Sequence, residues 1–583
     1  MTRSLILVSL GPVQVFIRQA RRTRDLWFGS HALSEISRAA ARALVESGAE
    51  LVFPGADASA ITAPLALEPG DAPSVANRLV AILPAGCDAG ATVRLCRESA
   101  ELAWRSFADG ALQRVGRPDG IVDTSESGMR AWNEQVDDLL EFDAVWATLG
   151  ADDYGALLHD LSGELAARKT LRPFAAWPAQ RRNVPKSALD GARETVLKQK
   201  RADSRLWRTL RIAPTEHLDA IGLIKRAGGR PEQFPPIANI ALASWTTTNE
   251  EHLGPLIDHF ARWGFPRIHR PDLGFTSAFP FDAQLLLPSR AEISFHEHTG
   301  EPLPPDVRGA LERLWRDAGE PQPYVACLVA DGDRVGEALS KVDTPAAHRG
   351  LSKRLDEFAQ GARRIVENEH HGVLVYAGGD DVLGFVALAD AFECAHALSM
   401  SFSSLVGGAL PDSVTTPTLS VGVGIGHLME GLGDLLDLGR RAESLAKGDD
   451  LPIAQRRNAL GVLLDKRSGG VSQWRCRWPQ EPLRRLASLM DLLSTGRLPV
   501  RRAHEVESLL QRFPDRTTGS DLLLQREAQR ILAKAASGEE PLSPEAAGLA
   551  LDHTSSPAGE VLSDWAGLLR VAKVLARTGG PAT

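Results

Sequence analysis

The stretch that most constrains the fold is Gly372–Leu388, which reads GVLVYAGGDDVLGFVAL. Two apolar runs, Val373–Tyr376 and Val382–Leu388, flank the tetrapeptide Gly378-Gly379-Asp380-Asp381. Strand-forming residues on both sides of a glycine-rich turn predict a β-hairpin. Two adjacent carboxylates at its tip repel each other, so one would take up a proton unless a cation lies between them. The hairpin therefore predicts a cation site with hard oxygen ligands, which suit Mg²⁺ or Mn²⁺.

A second acidic segment lies upstream, at the end of another apolar run. Tyr324–Ala330 reads YVACLVA, as expected of a buried strand, and it ends in Asp331-Gly332-Asp333. A helical pattern follows from Arg334 to Ser340. Acids between a strand and a helix N-terminus suit a metal-bound triphosphate, because helix amides can take phosphate oxygens while the carboxylates hold the ions.

The order of elements predicts that the two acidic segments meet. Strand, helix, hairpin, helix (Asp390–Leu405) and strand (Thr418–Ile425) form a βαββαβ unit, the ferredoxin-like topology. There the first strand lies beside the hairpin, so Asp331, Asp380 and Asp381 are predicted to converge as catalytic residues and as ligands of two metal ions. Four flanking residues are predicted to contact the nucleotide: Gly332, Asp333, Gly378 and Gly379. Taken alone, either acidic segment is also compatible with a plain turn.

Length and composition set broad limits. A chain of 583 residues with 43% apolar and 24% charged residues is typical of a globular protein of several domains. Its net charge of −8 excludes global basicity, so any nucleic-acid surface must be local. The five cysteines show no CxxC spacing, which indicates reduced thiols in a cytoplasmic protein. No apolar run is long enough for a membrane span, so no membrane partner is expected.

Four domains are predicted, which together give an α+β multidomain fold. Residues 1–149 repeat the order of the ferredoxin-like unit, with Gly11-Pro12 and Pro54-Gly55 at the places of the acids. This segment is predicted to be a degenerate palm, although an unrelated α/β domain remains an alternative. Residues 150–318 are predicted to be mostly helical, 319–473 to be the catalytic palm, and 474–583 to be a helical bundle.

At this point the chain resembles a known family. AGGDD on a hairpin, with an acid after the first strand, is the pattern of polymerase and cyclase palm domains, including GGDEF cyclases. The chain is more similar to the large, Cas-ten-family subunit of type III-B (Cmr-type) CRISPR–Cas effector complexes. The similarity also includes Ser9–Ser34, His217–Arg226, Phe234–Ala241, Leu328–Leu339 and Arg456–Gly470.

The resemblance implies a function in antiviral defence. It implies a nucleotidyltransferase that converts ATP into cyclic oligoadenylates with Mg²⁺ or Mn²⁺ once the guide complex has bound target RNA. The implied partners are the other Cmr-type subunits (the small helical subunits and the guide-handle-binding subunit), crRNA and target RNA. GGDEF-type palms carry a lysine that pairs with the triphosphate, and Lys447 is the corresponding candidate. Lys225 and Arg226 are implied as phosphate contacts.

The resemblance also implies departures from the family. Many relatives have a zinc knuckle where this chain has Ser187 and Asp190 in the two cysteine places, so no zinc is expected. The first palm strand begins at residue 4 or 5, so an amino-terminal HD nuclease domain and DNA cleavage are not expected. Two alternatives stay open, a scaffold subunit with little catalysis and a stand-alone GGDEF-like synthase. Ring size, linkage and the identity of the acceptor also stay open.

Overall fold

A computed structural model describes most of the chain. The described residues are 2–68, 75–117, 119–150, 154–171, 183–199, 205–230, 233–407, 416–467, 470–513, 521–534, 542–545, 547–549 and 557–576.

The first palm is built on a four-stranded antiparallel sheet. Its strands are β1 (Arg3–Gly11), β2 (Glu50–Phe53), β3 (Arg78–Leu83) and β4 (Glu141–Leu149). Their order is β2-β3-β1-β4, the ferredoxin-like arrangement, and the almost wholly apolar β1 lies in its interior. The edge strand β4 differs from β1, because its burial alternates and does so only in its first part.

Helices cover this sheet. They are α1 (Gln14–Arg18), α2 (Thr23–Glu46), α3 (Ala58–Thr62), α4 (Ala89–Val115), α5 (Glu126–Asp137) and α6 (Tyr154–Thr170). Between β1 and β2 the chain forms two helices with the bounds given for α1 and α2 rather than one continuous helix. The reason is Asp25, whose carboxylate accepts from the backbone N–H groups of Arg21 and Arg22 and so begins a new helix. Helix α6 packs against the sheet through Leu158, Leu161 and Leu165.

The middle of the chain is helical, with one short 3₁₀ turn at Ala283–Leu286. Its helices are α7 (Arg205–Thr209), α8 (Ala220–Ala227), α9 (Ile237–Ala241), α10 (Ala243–Thr248), α11 (Glu250–Arg262), α12 (Phe275–Ala278), α13 (Ala291–Thr299) and α14 (Pro305–Ala318). One continuous apolar core joins these helices to the first palm and to one face of the second sheet.

The second palm is built on a six-stranded sheet. Its strands are β5 (Tyr324–Asp333), β6 (Gly372–Gly378), β7 (Asp381–Ala387), β8 (Thr418–His427), β9 (Ala459–Leu464) and β10 (Ser472–Arg477). The order is β10-β9-β8-β5-β7-β6, so β8-β5-β7-β6 repeats the ferredoxin-like arrangement and β5 lies beside the hairpin as predicted. The helices here are α15 (Val335–Ser340), α16 (Pro345–Arg363), α17 (Ala391–Leu405) and α18 (Leu432–Lys447), with a π-helical turn at Arg364–Glu369.

The carboxyl-terminal part is a helical bundle. Its helices are α19 (Pro482–Ser494), α20 (Arg501–Arg512), α21 (Asp521–Ala533) and α22 (Ala558–Ala576). Helix α22 also lies on β10, where a Cβ at Gly567 would come within 2.3 Å of the Gln473 carbonyl oxygen. The predicted fold class, α+β with two palms and helical regions, is confirmed. The domain limits at 149, 318 and 473 stay predictions.

The two palms pack against each other reciprocally. Helix α2 of the first palm lies on β6 of the second, where the Trp27 indole N–H donates to the Leu374 carbonyl over 2.6 Å. Helix α16 of the second palm lies on β2 of the first, where Arg349 pairs with Glu50 at 2.6 Å. Next to β2, a Cβ at Gly55 would come within 2.4 Å of the Lys353 backbone nitrogen. Each palm thus contacts the hairpin strand of the other, and a cleft is left between them.

Candidate functional site

Three carboxylates meet where β5 ends beside the hairpin. A Cβ at Gly332 would come within 2.6 Å of the Asp380 Cβ, so only glycine allows the hairpin tip to lie against the end of β5. Gly379 has a φ of +67°, which turns the chain between β6 and β7. Asp331 lies close enough to both hairpin acids that its negative charge contributes to raising the pKa of Asp380 and of Asp381. The three acids lie close together as predicted, and their roles as catalytic residues and metal ligands stay predictions.

The electrostatics of this trio favour a cation. Burial, and then the negative charge of Asp331, raise the pKa of Asp380 to about 7. Burial, followed by the charge of Asp380, also raises the pKa of Asp381. Both shifts oppose ionisation of the carboxyl groups, and a bound divalent ion would remove that opposition.

Lys447 places a positive charge beside these carboxylates. Glycines at 422 and 424 let α18 lie directly on β8, since a Cβ at Gly422 would be 2.0 Å from the Glu443 backbone nitrogen. The helix thereby places the Lys447 ammonium 2.8 Å from Asp331 and 2.5 Å from Glu443. Burial lowers the pKa of Lys447, but the hydrogen bonds to both carboxylates outweigh it and the net pKa is raised. Lys447 is therefore a charged residue of this site.

Asp333 has a different role from the predicted one. Its side chain is 1% exposed and accepts hydrogen bonds from the hydroxyls of Thr418 and Ser420 and from the backbone N–H of Asn458. A nucleotide contact would require breaking these bonds, so Asp333 is a structural residue that ties β5 to β8. The helix after β5 covers only Val335–Ser340, too short to provide the expected phosphate site at its N-terminus.

A cleft of about 320 Å³ opens beside the carboxylates, between the two palms. Its walls come from both: Ser9–Gln14, Asn77, Glu141, Asp143, Lys169, Tyr376 and Asp381. The cleft therefore has one wall from each palm, with Tyr376 and Asp381 on the side of the second palm.

Among the cleft residues that the sequence did not predict are Glu141, Asp143 and Tyr376. Glu141 and Asp143 lie opposite Gly11 and Ser9 on the neighbouring strand, so the first palm carries acids on β4 where it lacks them on β1. The alternating start of β4 could have indicated them. Tyr376 lies on β6 and lines the cleft, and its position in the sequence does not predict that direction.

Lys225 and Arg226 do not contact phosphate, contrary to the expectation. Both side chains are buried, with exposures of 0% and 1%. The Lys225 ammonium donates to the backbone carbonyls of Phe16 and Gln19, and burial lowers its pKa to about 8. Arg226 forms a two-pronged ion pair with Asp25 and a further bond to Glu216 at 3.1 Å. These cations join α8 to the first palm.

Ser187 and Asp190, which stand in the two cysteine places of the family's zinc knuckle, close their turn by hydrogen bonds. The Asp190 carboxylate accepts from the backbone N–H groups of Ala192 and Arg193, and it pairs with the Arg193 guanidinium at 3.1 Å. The Ser187 hydroxyl accepts from the Leu189 N–H over 3.3 Å. The turn is therefore held without thiolates.

The donor set at the palm fits a divalent cation. Asp331, Asp380 and Asp381 offer hard carboxylate oxygens, and burial together with neighbouring negative charge raises the pKa of Asp380 and Asp381. Within the described ranges, no three His, Cys, Asp or Glu side chains are already placed to hold a metal ion, so the trio would have to adjust its side chains around one. Among the same residues, no helix has the length and apolar character needed to cross a membrane.

Comparison with known proteins agrees with this arrangement. Residues 324–460 match the family model of the Cas10/Cmr2 second palm domain, and residues 5–109 match that of the CRISPR-associated protein Cmr2 N-terminal region. The Cmr subunit Cmr2 of Pyrococcus furiosus is 29% identical over 197 residues, which covers 28% of this chain and 21% of that protein. The aligned part is thus about a fifth of the relative's length.

The fold has relatives among solved structures. Two are type III-B Cmr-beta complexes: an apo state (TM-score 0.69, 13% identity) and a state bound to cognate target RNA (TM-score 0.63, 13% identity). Each likeness covers 98% of this chain, and 82% and 83% of the matched chains. A chain of an apo Csm1–Csm4 cassette aligns with a TM-score of 0.51 and 14% identity, covering 99% of this chain and 70% of the other. The two sequence matches fall on the two palms, so this chain is similar to the Cas10/Cmr2 second palm domain and to the Cmr2 N-terminal region, and it shares the fold of the Cmr-beta chains over nearly its whole length.

Proposed function

We propose that this protein is the large subunit of a type III-B CRISPR effector complex in antiviral defence and that it converts ATP into cyclic oligoadenylates. The observation that carries the proposal is the convergence of Asp331, Asp380 and Asp381 beside a cleft that two palms share and that Asp381 lines. Joining two nucleotides requires both to be held in line, and a cleft with two walls meets that requirement. The family resemblance supports adenosine as the nucleoside.

In the proposed reaction, an oxygen–phosphorus bond forms between a ribose hydroxyl of one ATP and the α-phosphorus of another, and pyrophosphate leaves. Mg²⁺ or Mn²⁺ held by Asp331, Asp380 and Asp381 would neutralise developing charge and activate the attacking hydroxyl. The Lys447 ammonium can exchange its contact with Asp331 for a triphosphate oxygen, because it would then keep an anionic partner. Asp333 keeps the end of β5 fixed through its bonds to β8.

The proposed partners are the other Cmr-type subunits, crRNA and target RNA, and the proposed location is the cytoplasm. Two features support them. The matched Cmr-beta structures are multi-subunit complexes, one of them with cognate target RNA. All five cysteines are unpaired in the structure, which suits a reducing compartment.

Replacing both Asp380 and Asp381 by Ala tests the proposal. The assembled complex with target RNA should lose on the order of a thousandfold in product formation, about 4 kcal/mol in the barrier, because the metal site loses two ligands. Product from labelled ATP is measured by chromatography, and assembly by size exclusion. A matched control is Asp137→Ala, on the exposed surface of α5, which should keep full activity.

Normal turnover by the double variant would overturn the assignment of the site. No turnover by the wild-type complex, with or without target RNA, would leave a scaffold subunit as the better description. Turnover that does not depend on the other subunits or on RNA would favour a stand-alone synthase.

A further inference from the structure

Tyr376 faces the palm cleft because of an irregularity in its strand. Along β6, Val373 belongs to the core shared with the first palm, and Leu374 belongs to the core on the opposite face of the sheet. Strict alternation would send Tyr376 to the same face as Leu374. The pairing of β6 with β7 shifts between Leu374 and Tyr376, and this bulge places Tyr376 on the same face as Val373. Bulges re-aim side chains in this way beside functional sites.

The turn after β6 is shaped around the tyrosine hydroxyl. A Cβ at Gly378 would lie 2.2 Å from the Tyr376 hydroxyl oxygen and 2.6 Å from its Cζ, so the first glycine of the hairpin makes room for this side chain. No described residue forms a hydrogen bond with the Tyr376 hydroxyl, and the side chain lines the cleft together with Asp381. A bulge and a glycine thus bring to the carboxylates a phenol that has no hydrogen-bond partner among the described residues.

We propose that the Tyr376 hydroxyl forms a hydrogen bond with a ribose hydroxyl of the nucleotide bound between the palms. Tyr376 is then a positioning residue that selects ribonucleotides over deoxyribonucleotides. This inference rests on the proposed function for the presence of a nucleotide, and it adds the sugar contact and the selectivity.

The surroundings of Tyr376 favour a sugar over a phosphate group. The phenol carries no positive charge, so under the proposed function a phosphate group gains more from the Lys447 ammonium and from cations held by the carboxylates than from this hydroxyl. A sugar hydroxyl is neutral and can both donate and accept a hydrogen bond. The opposite wall offers Ser9 and Asn77, which are also uncharged.

The test compares Tyr376→Phe with Tyr324→Phe in the full chain. Phe keeps the ring, and Tyr324 is a matched control because it lies at the other end of β5, against His427. Affinities for ATP, 2′-deoxy-ATP and 3′-deoxy-ATP are measured by direct binding with Mn²⁺. We expect Tyr376→Phe to weaken ATP binding about fivefold to tenfold, as the loss of one hydrogen bond predicts. It should leave unchanged the affinity for the analogue that lacks the bonded hydroxyl, and Tyr324→Phe should change no affinity.

Equal weakening for ATP and both analogues would overturn the inference, since the hydroxyl would then bind elsewhere on the nucleotide. No weakening for ATP, or no binding of any of the three nucleotides to the wild type, would overturn it too. The outcome is separable from the proposed function. Discrimination that depends on Tyr376 without product formation would keep the inference and remove the synthase activity, and product formation without discrimination would do the reverse.

Discussion

At the scale of single residues, the site concentrates negative charge that the fold alone does not neutralise. Asp380 and Asp381 have raised pKa values because burial and a neighbouring carboxylate, Asp331 for Asp380 and Asp380 for Asp381, penalise the charged forms. Lys447 reaches Asp331 but is shared with Glu443. The carboxylates are therefore arranged for a ligand that carries positive charge.

Metal affinity should depend on pH. With a pKa raised to about 7, Asp380 is largely protonated at pH 6, and a divalent ion must displace that proton. The deprotonated form binds, so affinity rises as the pH increases through this pKa and falls below it. We expect Mn²⁺ to bind the full chain about tenfold more tightly at pH 8 than at pH 6, as one displaced proton implies. Calorimetry in two buffers of different ionisation enthalpy would measure the released protons.

Asp380→Asn removes the titrating group, so the variant should bind Mn²⁺ more weakly and with less change between the two pH values. Wild-type affinity that is the same at both pH values would contradict the prediction.

How far single residues could be predicted depended on where their partners lie. Asp380 and Asp381 are neighbours in the chain, so their repulsion is visible in the sequence. The partners of Asp333 are at Thr418, Ser420 and Asn458, far away in the chain, and a buried structural carboxylate could not be told from a site residue. The direction of Tyr376 depends on a bulge that its own residue type does not specify.

At the scale of elements, reciprocal packing of the palms builds the cleft. Helix α2 lies on β6 and helix α16 lies on β2, so each palm covers the hairpin strand of the other. The strands were predictable because β5, β8 and β9 are continuous apolar runs. The way in which the two palms pack against each other was not predictable, because it depends on close approaches such as that of Gly55 to Lys353.

Gly55→Ala should separate the palms. The added Cβ would be 2.4 Å from the Lys353 backbone nitrogen and 2.6 Å from its Cα, and backbone atoms cannot move aside as a flexible side chain can. Overpacking of this kind costs about 1–3 kcal/mol. We expect a lower melting temperature and reduced product formation, measured by thermal shift and by the labelled-ATP assay.

The matched control is Gly163→Ala on α6, where an added Cβ would meet nothing within 4 Å. This change should be neutral or stabilising by about 0.5–1 kcal/mol, because alanine favours helix more than glycine does. If both variants behaved alike, the proposed role of the Gly55 contact would be wrong.

At the scale of the whole molecule, one core runs through the first palm, the middle helices and one face of the second sheet. Buried charges take part in it, since Arg226 on α8 pairs with Asp25 on α2. The family resemblance predicted this general organisation. It misled at Lys225 and Arg226, because the position of a segment in a family does not reveal which way its side chains point.

The middle region should fold without zinc. Ser187 and Asp190 hold their turn through hydrogen bonds, and the Asp190 side chain is 4% exposed and already paired with Arg193. Elemental analysis of the purified protein should find no stoichiometric zinc, and a chelator should not shift its melting temperature. One zinc ion per chain would contradict this prediction.

The carboxylate trio lies on one wall of the cleft only, although the palms pack reciprocally. Two identical walls would let either bound nucleotide take either role. Because only the second palm carries the trio, the two bound nucleotides cannot swap roles. Under the proposed reaction, the activated triphosphate always lies on the second palm and the attacking hydroxyl on the first. An oligomer made in this cleft must therefore lengthen at one end only, and each addition requires the product to translocate by one nucleotide before the next.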